Sequence, residues 1–528
     1  MNQLKKISLI VMVCFMYAHT FAQRFITPTF QRADLTITNN VVFGRNFDFL
    51  TDPAGIERDQ RMRVYQPSQS VDTLSERPVF IYLHTGNFLP AGFNSPNGGI
   101  DDSLVVEMSK QWAERGFVVV TPSYRLGWNP QAPDEEVRRS SLLRAVYRGI
   151  VDAKTVVRFL RKSYFEDGNP YRIDPDRIVL FGEGTGGYLS LAYGALSNFQ
   201  ELLQPKFTDF TVTPPAPYVD TLEAGNIEGI GGSKNVSNHP SYSSKVNLIM
   251  NAGGALADNS WVNEGEVPVI SFQCVRDPFA PYGAGTVFVP VNPPQVVVDV
   301  VGAGVYQATV NSFGNNCAFD NVADFTDPYS VRARSLYNTV VDYIEAGTPT
   351  INVGSGEGLF PFILPIDNTD KFKNQAGPWQ WWDSSHPKNT EGLNSNPDMS
   401  KAKALAYVDT IQGYGLPRVY KVLNLGDLSA EPNNCGSTSV FNSVKNKGAV
   451  KMYPNPSTGR LFVELKNTDL SISKVQIFDL AGKVVLAETV TNINNIHQLN
   501  ASRLDAGVYF VNVVLSNGEQ LTNKVIFE

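Results

Sequence analysis

Between residues 24 and 425, continuous apolar runs alternate with stretches of helical periodicity. Residues 79–83 read Val-Phe-Ile-Tyr-Leu without a polar break, as in a strand covered on both faces of a parallel sheet. Val118-Val119-Val120 and Ile178-Val179-Leu180-Phe181 repeat the pattern. Between these two, Val137, Leu142, Val146, Ile150, Val156, Val157 and Leu160 recur mostly at three- to five-residue steps. That spacing predicts one apolar stripe on a long amphipathic helix, with the intervening arginines on the wet side. Further strands are expected over 246–250, 267–272 and 296–301, and edge hairpin strands over 34–43 and 61–65. Alternating strands and helices give an α/β fold with a mainly parallel sheet. Residues 399–416 and 419–423 predict a closing helix and its continuation. Residues 347–398 hold few periodic elements and read as an insertion or cap on the 23–425 domain.

The pattern changes at both ends. Residues 426–450 are polar, rich in Asn and Ser, and read as a linker. From Lys451 the chain turns to short strands of alternating character, at 461–465, 475–478, 508–513 and 524–527, which predicts a small β-sandwich. At the other end, Lys5 and Lys6 precede an apolar run over 7–17 and the small-residue pattern Thr20-Phe21-Ala22. This reads as a cleaved signal peptide, residues 1–22. No later apolar run reaches the ~18 residues that a spanning helix needs, so no transmembrane segment is expected.

Composition narrows the function classes. Hydrophobic residues at 42% and charged residues at 18% exclude a disordered chain. A net charge of −7 with no basic stripe argues against nucleic acid as a partner. The five His and four Cys are scattered, and no dinucleotide fingerprint is present, so neither a metal nor a cofactor is expected. Removal of the signal takes Cys14 and leaves Cys274, Cys317 and Cys435. One disulfide and one free thiol follow, with Cys274–Cys317 the favoured pair because both lie in the same body of strands.

The tail carries several motifs in order: Tyr453-Pro454-Asn455-Pro456-Ser457-Thr458-Gly459, then Phe478-Asp479-Leu480-Ala481-Gly482-Lys483, then Ala506-Gly507-Val508-Tyr509. Over residues 451–528 this resembles the C-terminal sorting domain of the type IX secretion system of Bacteroidota. The resemblance implies that the secretion machinery is a partner. It also implies passage through the periplasm and delivery to the cell surface or the medium.

In the body, a strand, a sharp turn and a helix meet at Phe181-Gly182-Glu183-Gly184-Thr185-Gly186-Gly187-Tyr188. This resembles the nucleophile elbow of α/β-hydrolases of the carboxylesterase and lipase type. Tyr82-Leu83-His84-Thr85-Gly86-Asn87-Phe88 is similar to that family's His-Gly-Gly-x-Phe oxyanion loop, and Pro122-Ser123-Tyr124-Arg125-Leu126-Gly127 to its next strand-end segment. The elbow pattern is small-x-nucleophile-x-small. With Gly182 and Gly186 as the small pair, the nucleophile position falls on Gly184, which has no side chain. Thr185 is the nearest hydroxyl but falls outside the strained apex, Ser190 lies well into the helix, and Glu183 is a conceivable carboxylate nucleophile. The resemblance assigns the oxyanion donors to the N–H of Thr185 and to the Gly86–Asn87 region, with His84 packing and orienting that loop.

The resemblance also places the triad acid after the seventh strand, where Asp277 fits, and the base after the next strand, where Cys317 falls at Gly314-Asn315-Asn316-Cys317. His386 is the alternative base and His239 fits the order less well. Trp379, Trp381 and Trp382 are three of the six tryptophans, and they read either as a platform over the pocket or as core beneath an insertion. Three functions remain open at this point. The first is a secreted esterase-like protein that has lost its nucleophile and binds an ester, glycan or polymer. The second is an active carboxylic-ester hydrolase with a rearranged site, and the third a structural surface protein.

Overall fold

The computed structural model describes residues 24–433 and 450–528, apart from 51, 53, 94, 290–294, 345–348, 367–372, 374, 466–470, 480–482, 491–495 and 516–519. The segment expected to be a signal peptide, most of the expected 426–450 linker, Cys435 and Gly482 lie outside the described residues. The chain divides into two compact units, Met1–Gly436 and Ser437–Glu528.

The larger unit is built on an eight-stranded sheet. Its strands are β1 (Leu35–Asp48), β2 (Ile56–Pro67), β3 (Arg77–Leu83), β4 (Val118–Pro122), β5 (Ile173–Glu183), β6 (Leu248–Ala252), β7 (Val269–Cys274) and β8 (Leu359–Phe362). They lie in the order β1-β2-β4-β3-β5-β6-β7-β8. β1 pairs antiparallel with β2 and β2 with β4, while the pairings from β4 through β8 are parallel. The continuous apolar reading of β3 has a direct cause. Successive side chains of a strand point to opposite faces, and both faces are covered. Val79, Ile81 and Leu83 pack with Leu142, Ile150 and Leu160 of helix α2 (Glu135–Phe165) and with Leu189 of α3 (Thr185–Ala195). Phe80 and Tyr82 pack on the other side, with Trp112 of α1 (Ser103–Glu114) and with Val408 and Ile411 of the closing helix Lys401–Val422.

Three expectations are corrected here. Residues 296–301 do not enter the sheet: Ala284–Val289 and Gln295–Val301 form a separate antiparallel hairpin, with Val287 and Val300 packed on Ala255 and Ala280. The last strand is instead Leu359–Phe362, inside the stretch read as an insertion, and it is reached through helices α4 (Ala303–Ser312) and α5 (Pro328–Leu336). The arginines of α2 are not all on the wet side, for Arg138, Arg158 and Arg161 are buried. Arg161 donates to the carbonyls of Pro175 and Ser243, and Arg158 to Glu228 and the carbonyl of Asn238. The excursion between α3 and β6 covers that face of the helix, and buried guanidinium groups are tolerated there because they find acceptors.

The body runs on past the closing helix into the expected linker. Asn433 N–H donates to the Val422 carbonyl at 2.8 Å, and Arg177 of β5 donates to the carbonyls of Leu423, at 2.8 Å, and Ala430. The smaller unit is the expected sandwich. One sheet has Val450–Tyr453, Arg460–Leu465 and Ile496–Asn500. The other has Val484–Thr489, Ile472–Phe478, Gly507–Leu515 and Gln520–Phe527. Leu461, Val463, Val475, Ile477, Val511 and Val513 fill its core, and buried positions alternate with exposed or half-buried ones along Arg460–Leu465.

Candidate active site

The site lies where β5 ends and α3 begins. Gly182 and Gly186 have to be small. A Cβ on Gly182 would sit 1.9 Å from the Gly186 carbonyl oxygen, and one on Gly186 would sit 2.1 Å from that of Leu83. Between them Gly184 takes φ 54° and ψ −116°, a conformation that glycine adopts without a Cβ clash. Its N–H is held by the Ala252 carbonyl at 2.8 Å. The space that a side chain at 184 would use is filled by Thr85. A Cβ built on Gly184 would lie 2.1 Å from Thr85 Oγ1 and 2.8 Å from Thr85 Cβ. Thr85 Oγ1 also accepts a long hydrogen bond, 3.4 Å, from the N–H of Thr185, one of the two expected oxyanion donors.

The oxyanion loop is shaped by backbone that few side chains permit. Asn87 and Phe88 have φ of 57° and 55°, and Gly86, at φ 129°, passes so close to Gly98 that a Cβ would come within 2.4 Å of its Cα. The Asn87 carbonyl is fixed by Trp128 Nε1 at 2.8 Å. His84 underpins the loop: its ring stacks on Tyr124 at 4.5 Å, and Nδ1 meets the Thr85 carbonyl at 2.7 Å. Burial pushes its imidazole down to about 4, so it is neutral at physiological pH and structural in role.

Glu183 is buried and hydrogen-bonded at both oxygens. Oε1 accepts from Trp379 Nε1 at 2.9 Å and Gln380 Nε2 at 2.7 Å, and Oε2 from the Tyr82 hydroxyl at 3.1 Å. Burial raises its carboxyl to about 7 against the pull of these donors. Both oxygens are held by fixed donors, Oε1 by two and Oε2 by one, so an attack on substrate would have to break this network. Asp277 follows β7, as expected, and is buried. Its Oδ1 accepts from the N–H groups of Phe279 and Ala280 at 2.8 and 3.0 Å, and no histidine meets it among the described residues. Burial pushes its carboxyl up to about 7.

The expected bases are elsewhere. Cys317 is exposed in the turn after α4, ahead of β8 in the chain, so it does not follow the eighth strand. It is disulfide-bonded. Cys274 is a free, buried thiol at the end of β7, so the favoured Cys274–Cys317 pair is not formed. His386 is exposed, stacks on Trp382 at 4.4 Å, and accepts from the Lys388 N–H at 3.2 Å rather than meeting Asp277. His239 faces the Phe43 carbonyl at 3.0 Å. Ser190 is buried and donates to the Gly187 carbonyl. Trp379, Trp381 and Trp382 are all 5% exposed or less, which makes them core and not a platform.

Thr85, Tyr82, Gln380 and Asn97, which donates to Gln380 Oε1 at 2.6 Å, are site residues that sequence reasoning did not single out. One signal was available: Thr85 stands where the His-Gly-Gly-x-Phe motif has a glycine. A cavity of about 120 Å³ opens beside Asn87 and Thr185. It is lined almost wholly by apolar side chains, among them Leu142, Val146, Tyr188, Phe207 and Trp261.

Residues 62–283 match the BD-FAE family, an esterase-like α/β-hydrolase group, and residues 451–528 match the secretion system C-terminal sorting domain. The chain joins an esterase-like α/β-hydrolase domain to a type IX sorting domain. Similar solved structures include native esterase 2 of Thermogutta terrifontis, 13% identical, covering 70% of this chain and 93% of that one with a TM-score of 0.31. The same esterase phosphorylated by paraoxon is 14% identical over 48% of this chain and 75% of its own, with a TM-score of 0.28. MGS-M1, an α/β-hydrolase enzyme from a Medee basin deep-sea metagenome library, is 12% identical over 47% and 72%, with a TM-score of 0.24. No curated protein matches the sequence. The sorting domain marks this hydrolase-fold protein for export, to the cell surface or the medium. Among the described residues no group of three or more His, Cys, Asp or Glu is placed to hold a metal, and no helix is long and apolar enough to cross a membrane.

Proposed function

We propose that this exported protein uses an esterase-like scaffold to bind, and not to hydrolyse, a small ester or a related apolar acyl or aryl group. The observation that carries this reading is the Thr85 hydroxyl standing in the space a nucleophile at 184 would need, 2.1 Å from the position of its Cβ. A covalent mechanism also needs a base, and neither Glu183, buried and held by Trp379, Gln380 and Tyr82, nor the exposed His386 supports one. The cavity favours a binding role over a purely structural one. At about 120 Å³ it is on the scale of the ~150 Å³ engineered cavity that takes benzene, which suits a short acyl chain or one ring. A glycan or a polymer chain is disfavoured because the three tryptophans that would stack on it are buried.

The purified chain should not turn over p-nitrophenyl acetate or butyrate above the buffer rate, and a fluorophosphonate probe should not label it. A non-hydrolysable butyrate analogue should still raise its melting temperature. Stoichiometric labelling, or turnover abolished by Thr85→Ala or His386→Ala, would overturn the proposal.

A further inference from the structure

A second cleft, of about 530 Å³, lies on the other side of Tyr147 and Val219, which it shares with the apolar cavity. Its charge is unbalanced in a specific way. Arg144 and Arg148 stand one turn apart on α2 and both line it. Such like-charged neighbours at i and i+4 repel each other. Arg148 donates to the Gly127 carbonyl at 2.5 Å, but its buried Nε has no partner. Arg144 spends only Nε, on the Tyr218 carbonyl at 2.8 Å. Among the described residues neither guanidinium forms an ion pair.

The nearby carboxylates are otherwise occupied. Asp152 pairs with Arg125 at 2.8 Å and Asp48 with Arg58 at 3.5 Å. Glu223 pairs with Lys234 at 3.0 Å, while Asp220 caps a helical turn through the Leu222 N–H. Asp209 holds the hydroxyl and N–H of Thr211. Burial, reinforced by Arg125 and Arg144, lowers the Arg148 guanidinium to about 9, and it remains charged at neutral pH. Aromatic walls complete the cleft: Phe49, whose ring lies 5.0 Å from the Arg148 guanidinium, with Phe93 and Trp128.

We infer that this cleft binds a small aromatic carboxylate, its anionic end held by Arg144 and Arg148 and its ring set against Phe49, Phe93 and Trp128. Guanidinium groups recognise carboxylates through paired, charge-assisted bonds, and flat aromatic walls favour a flat apolar body. The volume lies within the usual range for small-molecule sites. The inference does not depend on whether the elbow is catalytically silent.

The test is calorimetric titration of the full chain with benzoate, benzamide and cyclohexanecarboxylate. Benzoate should bind, and benzamide, which lacks the charge, should bind about tenfold or more weakly, as expected for losing a charge-assisted bond. Cyclohexanecarboxylate should fall between them. Arg144→Gln, at an exposed position, should cost benzoate a similar factor without unfolding the protein, and Arg148→Gln should do the same where it folds. No binding of benzoate, equal binding of benzoate and benzamide, or unchanged benzoate affinity in Arg144→Gln would each overturn the inference.

Discussion

Installing a serine at Gly184 is the perturbation that bears most directly on the site. The new Cβ would meet Thr85 Oγ1 at 2.1 Å and Thr85 Cβ at 2.8 Å, both inside van der Waals contact, with backbone on either side that cannot yield freely. It would also place a side chain at φ 54° and ψ −116°. Backbone strain of that kind costs about 1–3 kcal/mol, and overpacking costs about as much again. Gly184→Ser alone should therefore lower the melting midpoint by roughly 2–7 °C and remain catalytically silent. Thr85→Gly removes both clashing atoms, whereas Thr85→Ala leaves the Cβ at 2.8 Å. The double variant Gly184→Ser/Thr85→Gly should thus recover about 1–3 kcal/mol beyond additivity, and Gly184→Ser/Thr85→Ala distinctly less. Urea unfolding followed by tryptophan fluorescence suits the measurement, since all six tryptophans lie in the body and none in the tail. If Gly184→Ser is as stable as the parent, or if the two sites prove additive, Thr85 does not occupy the seat in solution and the argument for lost chemistry loses its basis.

The remaining predictions are independent of that cycle. Asp277 and Glu183 titrate near 7 when folded, above their ordinary 3.8 and 4.5, so the unfolded chain loses these protons first as pH rises. Their contribution to stability should then fall between about pH 4 and pH 7 and level off above. Asp277→Asn keeps an oxygen for the N–H groups of Phe279 and Ala280, and should stabilise the protein at pH 8 by roughly 1–3 kcal/mol while flattening that slope. Loss of stability at pH 8 would contradict the burial argument. Non-reducing peptide mapping should find Cys317 in a disulfide-linked peptide and Cys274 alkylated only after unfolding. Deletion of residues 451–528 should leave the body in the periplasm, and fractionation that finds the truncated chain exported normally would refute the sorting role.

Much of the body could be read from its pattern because most of its strands are covered on both faces. β3, β4 and β5 stand out as uninterrupted apolar runs, and the elbow glycines stand out because their roles are steric. β8 escaped notice for an equally physical reason. It is four residues long and contains Pro361, which is tolerated because the strand lies at the sheet edge. Residues 296–301 offered a longer apolar run and were read as the last strand in its place. Taking that run as the strand puts the base position at Cys317, which the structure places ahead of the true eighth strand, whereas Asp277 does follow β7. Thr85 was hidden differently. Its meaning lies in an exchange of bulk with Gly184 across the sheet, and such an exchange is invisible until the two positions are known to touch.

The way the chain leaves the body has a mechanical meaning. Arg177 is buried at the foot of β5, is anchored to Asp174 at 2.6 Å, and grips the carbonyls of Leu423 and Ala430. Tension applied beyond residue 433 therefore does not simply peel the closing helix from the surface. Besides the bonds of Asn433 to that helix, it must break bonds to a strand paired on both sides in the middle of the sheet. A pull on the tail is thus passed to a strand in the middle of the sheet and not to the closing helix alone.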